Sequence, residues 1–275
     1  WCAVVEMGMN APGEIAYLSQ LARPDIGVIT SIGSAHLEGL GSIEAIARAK
    51  GELFDALPQG SIGIMPAHLL FPEIVTANTQ ADLYIVGRAE TGGLWCEAVR
   101  SVPDGIDATV CDGHHKHAMK LPFIGEHNVS NALLALAVGQ SLGVTLAAGI
   151  EALEGLSPPS MRGEIKISPL GSEIILDCYN ANPQSVRAAV GGFVQRHENG
   201  VIVLGDMLEL GNASASVHRE LGNWLANTLG SQYQLIGIGP EMKALVEAAL
   251  EAGRTVENTT AIDDMGTRMP ALVQR

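Results

Sequence analysis

The sequence predicts an α/β fold with two domains, a central parallel-sheet domain followed by a smaller α/β domain. Short apolar runs alternate with helical patterns along most of the chain, which is the order typical of parallel sheets. Polar residues follow several of these runs directly. The segment 155–163, GLSPPSMRG, is rich in proline, glycine and serine, as linkers are. We therefore expect one domain over 1–157 and another over 158–275.

Each element is predicted from a local pattern. In the first domain, four short apolar runs predict strands: AVVEM, IGVIT, SIGIM and LYIV. The glycine-broken stretch 92–121 predicts short antiparallel strands with turns at PDG and DGHH. A long helix is expected from Asn128 and a shorter one from Thr145. In the second domain, strands are expected at EIILD, VIVLG and YQLIGIG, with helices from Pro183, over 218–229 and over 241–251.

The stretch 173–186, EIILDCYNANPQSV, has an unusual number of polar groups after an apolar run. In open parallel sheets, ligands bind outside the carboxyl ends of the strands, which is where these groups fall. Asn182 is suited to cap the helix that starts at the following proline. Asp177, Tyr179 and Asn180 have no such structural explanation.

Composition excludes several classes of protein. Lysine and arginine total 16 against 30 aspartate and glutamate, a net charge of -14, so no nucleic-acid partner is expected. The four cysteines match neither a zinc pattern nor a disulfide framework. No apolar run approaches the roughly 20 residues of a membrane span, and no signal peptide is present. We expect a cytoplasmic monomer. The missing initiator methionine and uncapped end also predict a fragment of a longer protein.

Lys50 lies in the middle of the apolar stripe of a predicted helix. In SIEAIARAKGELFDAL, Ser42 is a natural N-cap, and 3.6 residues per turn place Lys50 among apolar side chains. Such a lysine must extend its amine to solvent, pair with an acid, or lose its charge. A neutral amine can also take up CO₂ and become a carbamate, which is an oxygen ligand for Mg²⁺. The pattern alone leaves these alternatives open.

Three other places carry possible metal ligands. Glu6 follows a predicted strand, where a carboxylate can hold Mg²⁺ or simply face solvent. His36 lies in the glycine-rich loop TSIGSAHLEGLGS and could be a ligand or a base, although most loop histidines are neither. The segment GHHKHA, 113–118, contains three histidines, but a turn between short strands favours a solvated loop.

Three more residues have side chains suited to a nucleotide. Asn128 and Asn131 lie on one face of the first turn of a predicted helix. Their amides could read the edge of a base, or Asn128 could cap the helix. Arg162, in the predicted linker, could bind a phosphate.

Five segments span nearly the whole chain, and together they resemble the Mur ligases: EMGMNAPGEI, AHLEGLGSIEAIARAKGELF, GEHNVSNALLA, LDCYNANPQS and VLGDMLELG. The resemblance implies an ATPase-type central domain and a Rossmann-like carboxyl-terminal domain. It also implies ATP-dependent amide-bond formation through an acyl phosphate, in peptidoglycan synthesis. YNANP and GDMLELG resemble the branch that joins D-alanyl-D-alanine to UDP-N-acetylmuramoyl-tripeptide.

The resemblance implies a catalytic role for residues at matched positions. Two Mg²⁺ ions would be bound, one by Glu6 and the other by His36 and a carbamylated Lys50. Lys50, His36 and Arg162 would then be the catalytic residues.

The resemblance also implies contacts with ATP and with the peptide substrates. Asn128 and Asn131 would contact the adenine, Asp177 the ribose and Arg162 the phosphates. The substrate side of a cleft between the domains would be lined by Tyr179, Asn180 and Asn182.

Several family features are missing from this sequence. A phosphate-binding loop and a uridine-nucleotide domain would be expected before Trp1, and a lysine-glycine-serine-arginine motif after Arg275. Met161 stands where the family usually has glycine. We therefore expect no turnover by the 275-residue chain alone. The alternatives are a sister Mur or folylpolyglutamate-type ligase and a non-catalytic nucleotide-binding protein on the same fold. A dinucleotide-binding dehydrogenase is disfavoured, because no G-x-G-x-x-G turn follows a strand.

Overall fold

The computed structural model describes residues 1–33, 37–102, 104–255 and 259–262. The chain divides into two compact units, Trp1–Pro159 and Ser160–Arg275. This division falls two residues after the one expected from the sequence. Each unit contains helices and parallel strands, so the predicted α/β class is confirmed. Among the described residues, no helix is both long and apolar enough to cross a bilayer.

The first unit starts with helices and short parallel strands and continues with an antiparallel sheet and two helices. Its elements are α1 (Glu14–Ala22), β1 (Ile26–Val28), α2 (Leu37–Leu40), α3 (Ile43–Asp55), β2 (Ile62–Pro66), α4 (Pro72–Val75), β3 (Asp82–Val86), β4 (Trp95–Val102), β5 (Gly105–Cys111), β6 (Lys116–Leu121), α5 (His127–Ser141) and α6 (Leu146–Glu154).

Two sheets organise this unit. Strands β1, β2 and β3 are parallel and adjacent in that order, with Ile26 opposite Ile62 and Ile62 opposite Asp82. Strands β4, β5 and β6 form an antiparallel sheet, with Ile106 opposite Leu121. The antiparallel strands predicted over 92–121 are therefore confirmed.

The sheets and helices of this unit bury two apolar clusters. One cluster joins the strands to α5 and α6 and includes Ile64, Val110 and Leu133. The other lies around α3 and includes Ile46 and Phe54, both almost fully buried. Burying such side chains stabilises the fold by about 1.5–3 kcal/mol each.

The predicted first strand, AVVEM, is wrong. Residues 1–9 have no regular secondary structure, and the side chains of Val4 and Val5 are 94% and 60% exposed. A strand requires a neighbour for its backbone N–H and C=O groups. Within the described part of the chain, nothing pairs with this segment, so its apolar pattern alone does not make it a strand.

The second unit contains a hairpin followed by alternating strands and helices. Its elements are β7 (Glu164–Ile167), β8 (Glu173–Leu176), α7 (Pro183–Arg196), β9 (Gly200–Gly205), α8 (Ser214–Thr228), β10 (Tyr233–Ile238), α9 (Met242–Glu251) and β11 (Thr259–Ile262). The strands predicted at EIILD, VIVLG and YQLIGIG and the three helices are all present.

Strand pairing in this unit follows two patterns. Strands β9, β10 and β11 are parallel in the order β11-β10-β9, with Leu235 opposite Ile202. Strand β8 pairs with β7 in an antiparallel hairpin, a partner that the sequence pattern did not predict. Helices α8 and α9 approach closely at Gly222, where any side chain would meet the backbone oxygen of Leu245.

Candidate active site

Lys50 lies on α3, on a helix face that is mostly buried. Ile46, Ala47 and Phe54 on the same helix are at most 1% exposed, and Lys50 itself is partly buried. Ser42 caps the helix, since its hydroxyl oxygen accepts a hydrogen bond from the N–H of Ala45 at 3.1 Å. The predicted N-cap and the apolar stripe around Lys50 are confirmed.

The Lys50 amine is held by the backbone rather than by an acid. Nζ donates a hydrogen bond to the carbonyl oxygen of Ser31, at 2.8 Å. Within the described ranges, no carboxylate lies at ion-pair distance from it. Burial lowers the pKa of the Lys50 ammonium, because desolvation disfavours its charged form. A larger fraction of the amine is therefore neutral at a given pH than on an exposed lysine.

The two other predicted metal ligands are not brought to Lys50 by any described contact. Glu6 is exposed on the amino-terminal segment that lacks regular structure, so its expected place at the end of a strand is wrong. His36 lies outside the described residues. The roles of both residues stay predictions.

Asn128 and Asn131 lie near the start of α5 and bond to each other. Asn131 Nδ2 donates to Asn128 Oδ1 at 3.4 Å, and Asn128 Nδ2 donates to the carbonyl oxygen of Ile124 at 2.9 Å. The capping interpretation of Asn128 is wrong, because the N-cap position belongs to Glu126, whose side chain makes no cap bond. Asn131 is exposed at the helix surface. The pair thus presents two amides at one helix end.

The polar segment after β8 is exposed, and the backbone engages two of its asparagines. Asn182 Oδ1 accepts the N–H groups of Gln184 and Ser185 at 3.0 and 2.9 Å, which confirms the predicted N-cap of α7. Asn180 Oδ1 accepts the N–H of Ala181 at 2.8 Å. Asp177 follows β8 directly and is exposed. The Oδ1 atom of Asn182 is therefore used in capping α7, whereas its amide nitrogen can make other contacts.

Arg162 and Tyr179 are brought together, although separate roles are predicted for them. The guanidinium carbon of Arg162 lies 4.2 Å from the centre of the Tyr179 ring. Met161, beside Arg162, has a left-handed backbone with φ of 60°. Its carbonyl oxygen accepts the N–H groups of Cys178 and Tyr179, at 3.0 and 3.2 Å.

Glu52 has a role that sequence reasoning missed. The carboxylate accepts the N–H of Gly13 at 2.7 Å and that of Ala16 at 3.0 Å, at the start of α1. Gly13 is the N-cap of α1 and has no side chain to supply these acceptors. A helix start preceded by proline and glycine, without serine, threonine or aspartate, signals that a cap must come from elsewhere. The pattern does not say from where.

His218 is a second residue that was missed. It is completely buried on α8, and its Nε2 accepts the backbone N–H of Met207 at 3.2 Å. Its Nδ1 lies 2.8 Å from the carbonyl oxygen of Ser214, so Nδ1 carries the proton. The signal was available, because His218 shares a helix face with the buried Leu221 and Leu225. It fixes the start of the GDMLELG loop.

The histidine segment forms a turn followed by strand β6. Asp112 Oδ1 accepts the N–H groups of His114 and His115, at 3.0 and 2.7 Å, and these bonds lower the pKa of Asp112 to about 2. His117 lies within β6 rather than in the turn. In the parts of the chain that the structure describes, no group of three potential ligands is placed to hold a metal.

Two family models match the chain. The Mur ligase middle domain matches residues 2–139, and the Mur ligase glutamate ligase domain matches residues 161–274. The UDP-N-acetylmuramoyl-tripeptide--D-alanyl-D-alanine ligase of Bacillus subtilis is 35% identical over 223 residues, which are 80% of this chain and 48% of the relative. The chain therefore spans about half the length of this relative.

Solved structures that are similar to this chain belong to the same family. MurF from Acinetobacter baumannii superposes with a TM-score of 0.87 at 31% identity, over 99% of this chain and 58% of that protein. MurF from Thermotoga maritima, solved in complex with ADP, superposes with a TM-score of 0.77 at 26% identity. That match covers 87% of this chain and 55% of that protein.

Proposed function

The chain belongs to the Mur ligase family, and on that premise we propose that its protein joins D-alanyl-D-alanine to UDP-N-acetylmuramoyl-tripeptide. ATP would be split to ADP and phosphate in the process, as part of peptidoglycan synthesis in the cytoplasm. The Bacillus relative carries that substrate pair in its name, and the Thermotoga structure contains ADP. Because this chain spans about half of its relatives, the activity belongs to a longer protein.

The environment of Lys50 is the observation that carries this proposal. A purely structural lysine on a buried helix face would be expected to pair with a carboxylate or to extend its amine into water. Among the described residues Lys50 pairs with no carboxylate, and its only described bond is to a carbonyl oxygen. Its lowered pKa increases the neutral amine, which is the form that reacts with CO₂. Carbamate formation releases one proton and leaves two oxygen atoms on the side chain.

Glu6 and a carbamate on Lys50 supply oxygen ligands, which Mg²⁺ prefers, whereas His36 would supply a ring nitrogen. We propose that Glu6, His36 and the Lys50 carbamate hold two ions. Among these ligands, Glu6 is an exposed carboxylate with no described partner. The ions would neutralise charge on the phosphates of ATP. This chain's own contribution is a fixed α3 helix, which keeps Lys50 at one position and in one orientation.

Nucleotide contacts are assigned to residues near the start of α5 and to two residues of the second unit. Asn128 and Asn131 form a bonded pair of amides at the surface, suited to the edge of a base. Asp177 is assigned to the ribose, and Arg162, whose guanidinium is exposed, to the phosphates. The Asn180 and Asn182 side chains are assigned to the acceptor peptide.

The proposed reaction has two steps. The carboxylate of the tripeptide attacks the γ-phosphorus of ATP, and the bond to ADP breaks. The amine of D-alanyl-D-alanine then attacks the carbonyl carbon of the acyl phosphate, loses a proton and expels phosphate. Negative charge grows on the phosphoryl oxygens and later on the carbonyl oxygen, and a fixed cation such as Arg162 stabilises both.

The test follows phosphate release by the longer protein that carries this sequence. ATP, Mg²⁺ and UDP-N-acetylmuramoyl-tripeptide are supplied, with D-alanyl-D-alanine or single amino acids added in turn. We expect release that depends on the dipeptide. Release with only a single amino acid would assign the protein to a sister ligase.

A non-catalytic nucleotide-binding protein is the second outcome of the same assay. It would bind ATP but release no phosphate with any acceptor. The 275-residue chain alone serves as the negative control, because we expect no turnover from it.

A further inference from the structure

The guanidinium of Arg162 is stacked on an aromatic ring of the same unit. Its central carbon lies 4.2 Å from the centre of the Tyr179 ring, well inside the distance at which a cation is attracted by a ring face. Tyr179 is 66% exposed, so the ring is not there to fill the core. The stack instead fixes the plane of an otherwise mobile arginine.

Backbone hydrogen bonds hold the segments of the two residues next to each other. The carbonyl oxygen of Met161 accepts the N–H groups of both Cys178 and Tyr179. This oxygen is turned toward them by the left-handed conformation of Met161, which is unfavourable for any residue other than glycine. Such strain persists when the surrounding contacts determine it. The segment that carries Arg162 is thus bonded directly to the segment that carries Tyr179.

The stacked guanidinium keeps its hydrogen-bond donors available. Stacking uses the flat face, whereas the five N–H donors lie in the plane and point outward. Within the described residues, no carboxylate pairs with Arg162 and no acceptor takes a hydrogen bond from it. The arginine is oriented but not neutralised, as required for binding an anion from solution.

We propose that Tyr179 is a positioning residue that holds the Arg162 guanidinium for a phosphate group of the nucleotide. This replaces the substrate-lining role that the family resemblance implies for Tyr179. The proposal rests on the proposed function for the identity of the nucleotide, while the stack itself is independent of it. Asn180 and Asn182 keep their acceptor-side assignments.

Two substitutions at Tyr179 separate the possible roles. In the longer protein, Tyr179→Phe keeps the ring face and removes only the hydroxyl, whereas Tyr179→Leu removes the ring. A cation–π contact at an exposed site is worth about 0.5–1 kcal/mol, so we expect Tyr179→Leu to weaken ATP about twofold to fivefold. ATP affinity is measured by calorimetry, and KM is measured for ATP and for D-alanyl-D-alanine. The KM for the dipeptide should not change in Tyr179→Leu. Tyr179→Phe should keep the ATP affinity of the wild type, because it keeps the ring face.

A rise in the dipeptide KM without a change in ATP affinity would overturn the proposal in favour of the acceptor role. Loss of function in Tyr179→Phe would also overturn it, because the hydroxyl rather than the ring face would then be the active group.

A double-mutant cycle tests whether Tyr179 acts through Arg162. If it does, Tyr179→Leu adds nothing to the loss of ATP affinity already caused by Arg162→Ala. An undiminished further loss in the Arg162→Ala background would show that Tyr179 contacts the nucleotide by itself, and the positioning role would be rejected.

A spectroscopic measurement keeps this result separate from the fate of the proposed function. The Arg162 side-chain protons lie over the Tyr179 ring face, so their NMR signals should shift upfield in the wild type and in Tyr179→Phe. The shift should vanish in Tyr179→Leu. A stacked arginine in a protein without ligase activity would refute the proposed function alone. Arg162 signals at ordinary positions in the wild type would refute the stack.

Discussion

Lys50 and the segment 177–182 carry polar groups at very different depths. Lys50 lies on a helix whose neighbouring positions Ile46, Ala47 and Phe54 are closed to solvent, and its amine has a single described bond. Asp177, Tyr179 and Asn180 are exposed, and Asn182 is only half-buried. Desolvation therefore decides the charge of the first site. In the second site solvent screens charges, so local hydrogen bonds and stacking must supply the geometry.

The largest expected effect is at the buried site. Lys50→Arg keeps the positive charge but cannot form a carbamate, and we expect dipeptide-dependent phosphate release to fall about a hundredfold or more, the usual result of removing a preorganised electrostatic group. Incubation of the wild type with ¹³C-labelled bicarbonate should give a carbamate signal that is absent from the variant. Phosphate release and NMR are the two measurements.

The control for this prediction is Arg48→Met on the exposed side of the same helix, which should leave activity and the carbamate signal unchanged. Lys50→Met preserves the apolar stem and removes the amine. If Lys50→Met or Lys50→Arg retained full activity, the buried site would be only structural.

The second effect concerns the support of the buried site. Glu52→Gln removes a charge-assisted cap from the start of α1, because an amide accepts the N–H groups of Gly13 and Ala16 more weakly than a carboxylate. Cap loss costs about 0.5–2 kcal/mol. We expect unfolding of the first unit to be easier by about 1 kcal/mol, measured by denaturant titration.

The matched control is Glu151→Gln, an exposed glutamate on α6. It should change the free energy of unfolding by less than about 0.5 kcal/mol. Equal effects of the two substitutions would show that the Glu52 bonds add nothing beyond an ordinary surface carboxylate.

The third effect concerns the strand that leads into the exposed segment. Glu173 accepts two hydrogen bonds from Arg196, at 2.9 and 3.0 Å, and also contacts His197 at 3.1 Å. The bonds from Arg196 lower the pKa of Glu173 below its usual 4.5. The folded state therefore binds this proton less readily than the unfolded state. Stability from the pair is complete above about pH 4.5 and is lost as pH falls through the folded pKa.

We therefore expect wild type and Glu173→Gln to differ by about 1 kcal/mol at pH 6 and to converge as the pH falls below 4.5 and through the folded pKa of Glu173. Unfolding of the second unit is followed from pH 6 downward. If the difference in unfolding free energy between wild type and variant stayed constant over this range, the charge of Glu173 would not contribute to stability.

Local patterns predicted most elements, because short apolar runs and caps such as Ser42 and Asn182 act within a few residues. The exceptions need partners that are distant in sequence. AVVEM has the hydrophobicity of a strand, but no described strand pairs with it, and β8 pairs with β7 rather than with a parallel neighbour. Pairing is a tertiary property, and periodicity does not encode it.

The site residues divide in the same way. The depth of Lys50 followed from helical periodicity, which assigns each residue to a face. The same periodicity places Glu52 on the polar face of the helix, but a carboxylate 36 to 39 residues from its partners cannot be matched to them by pattern. The stack of Arg162 on Tyr179 likewise joins residues with separate predicted roles.

The smallest effect concerns the turn that holds the exposed segment. Met161 has a φ of 60°, and a left-handed residue with a Cβ costs about 1–2 kcal/mol relative to glycine. Met161→Gly should relieve this strain, offset by about 0.5–1 kcal/mol of added freedom in the unfolded chain. We expect the second unit to become more stable by about 0.5 kcal/mol, measured by thermal unfolding. Met161→Ala retains the Cβ and should bring no gain. If Met161→Ala stabilised the unit as much as Met161→Gly, exposure of the methionine side chain rather than backbone strain would explain the change. The exposed site would then owe its geometry to the stack and the hydrogen bonds alone.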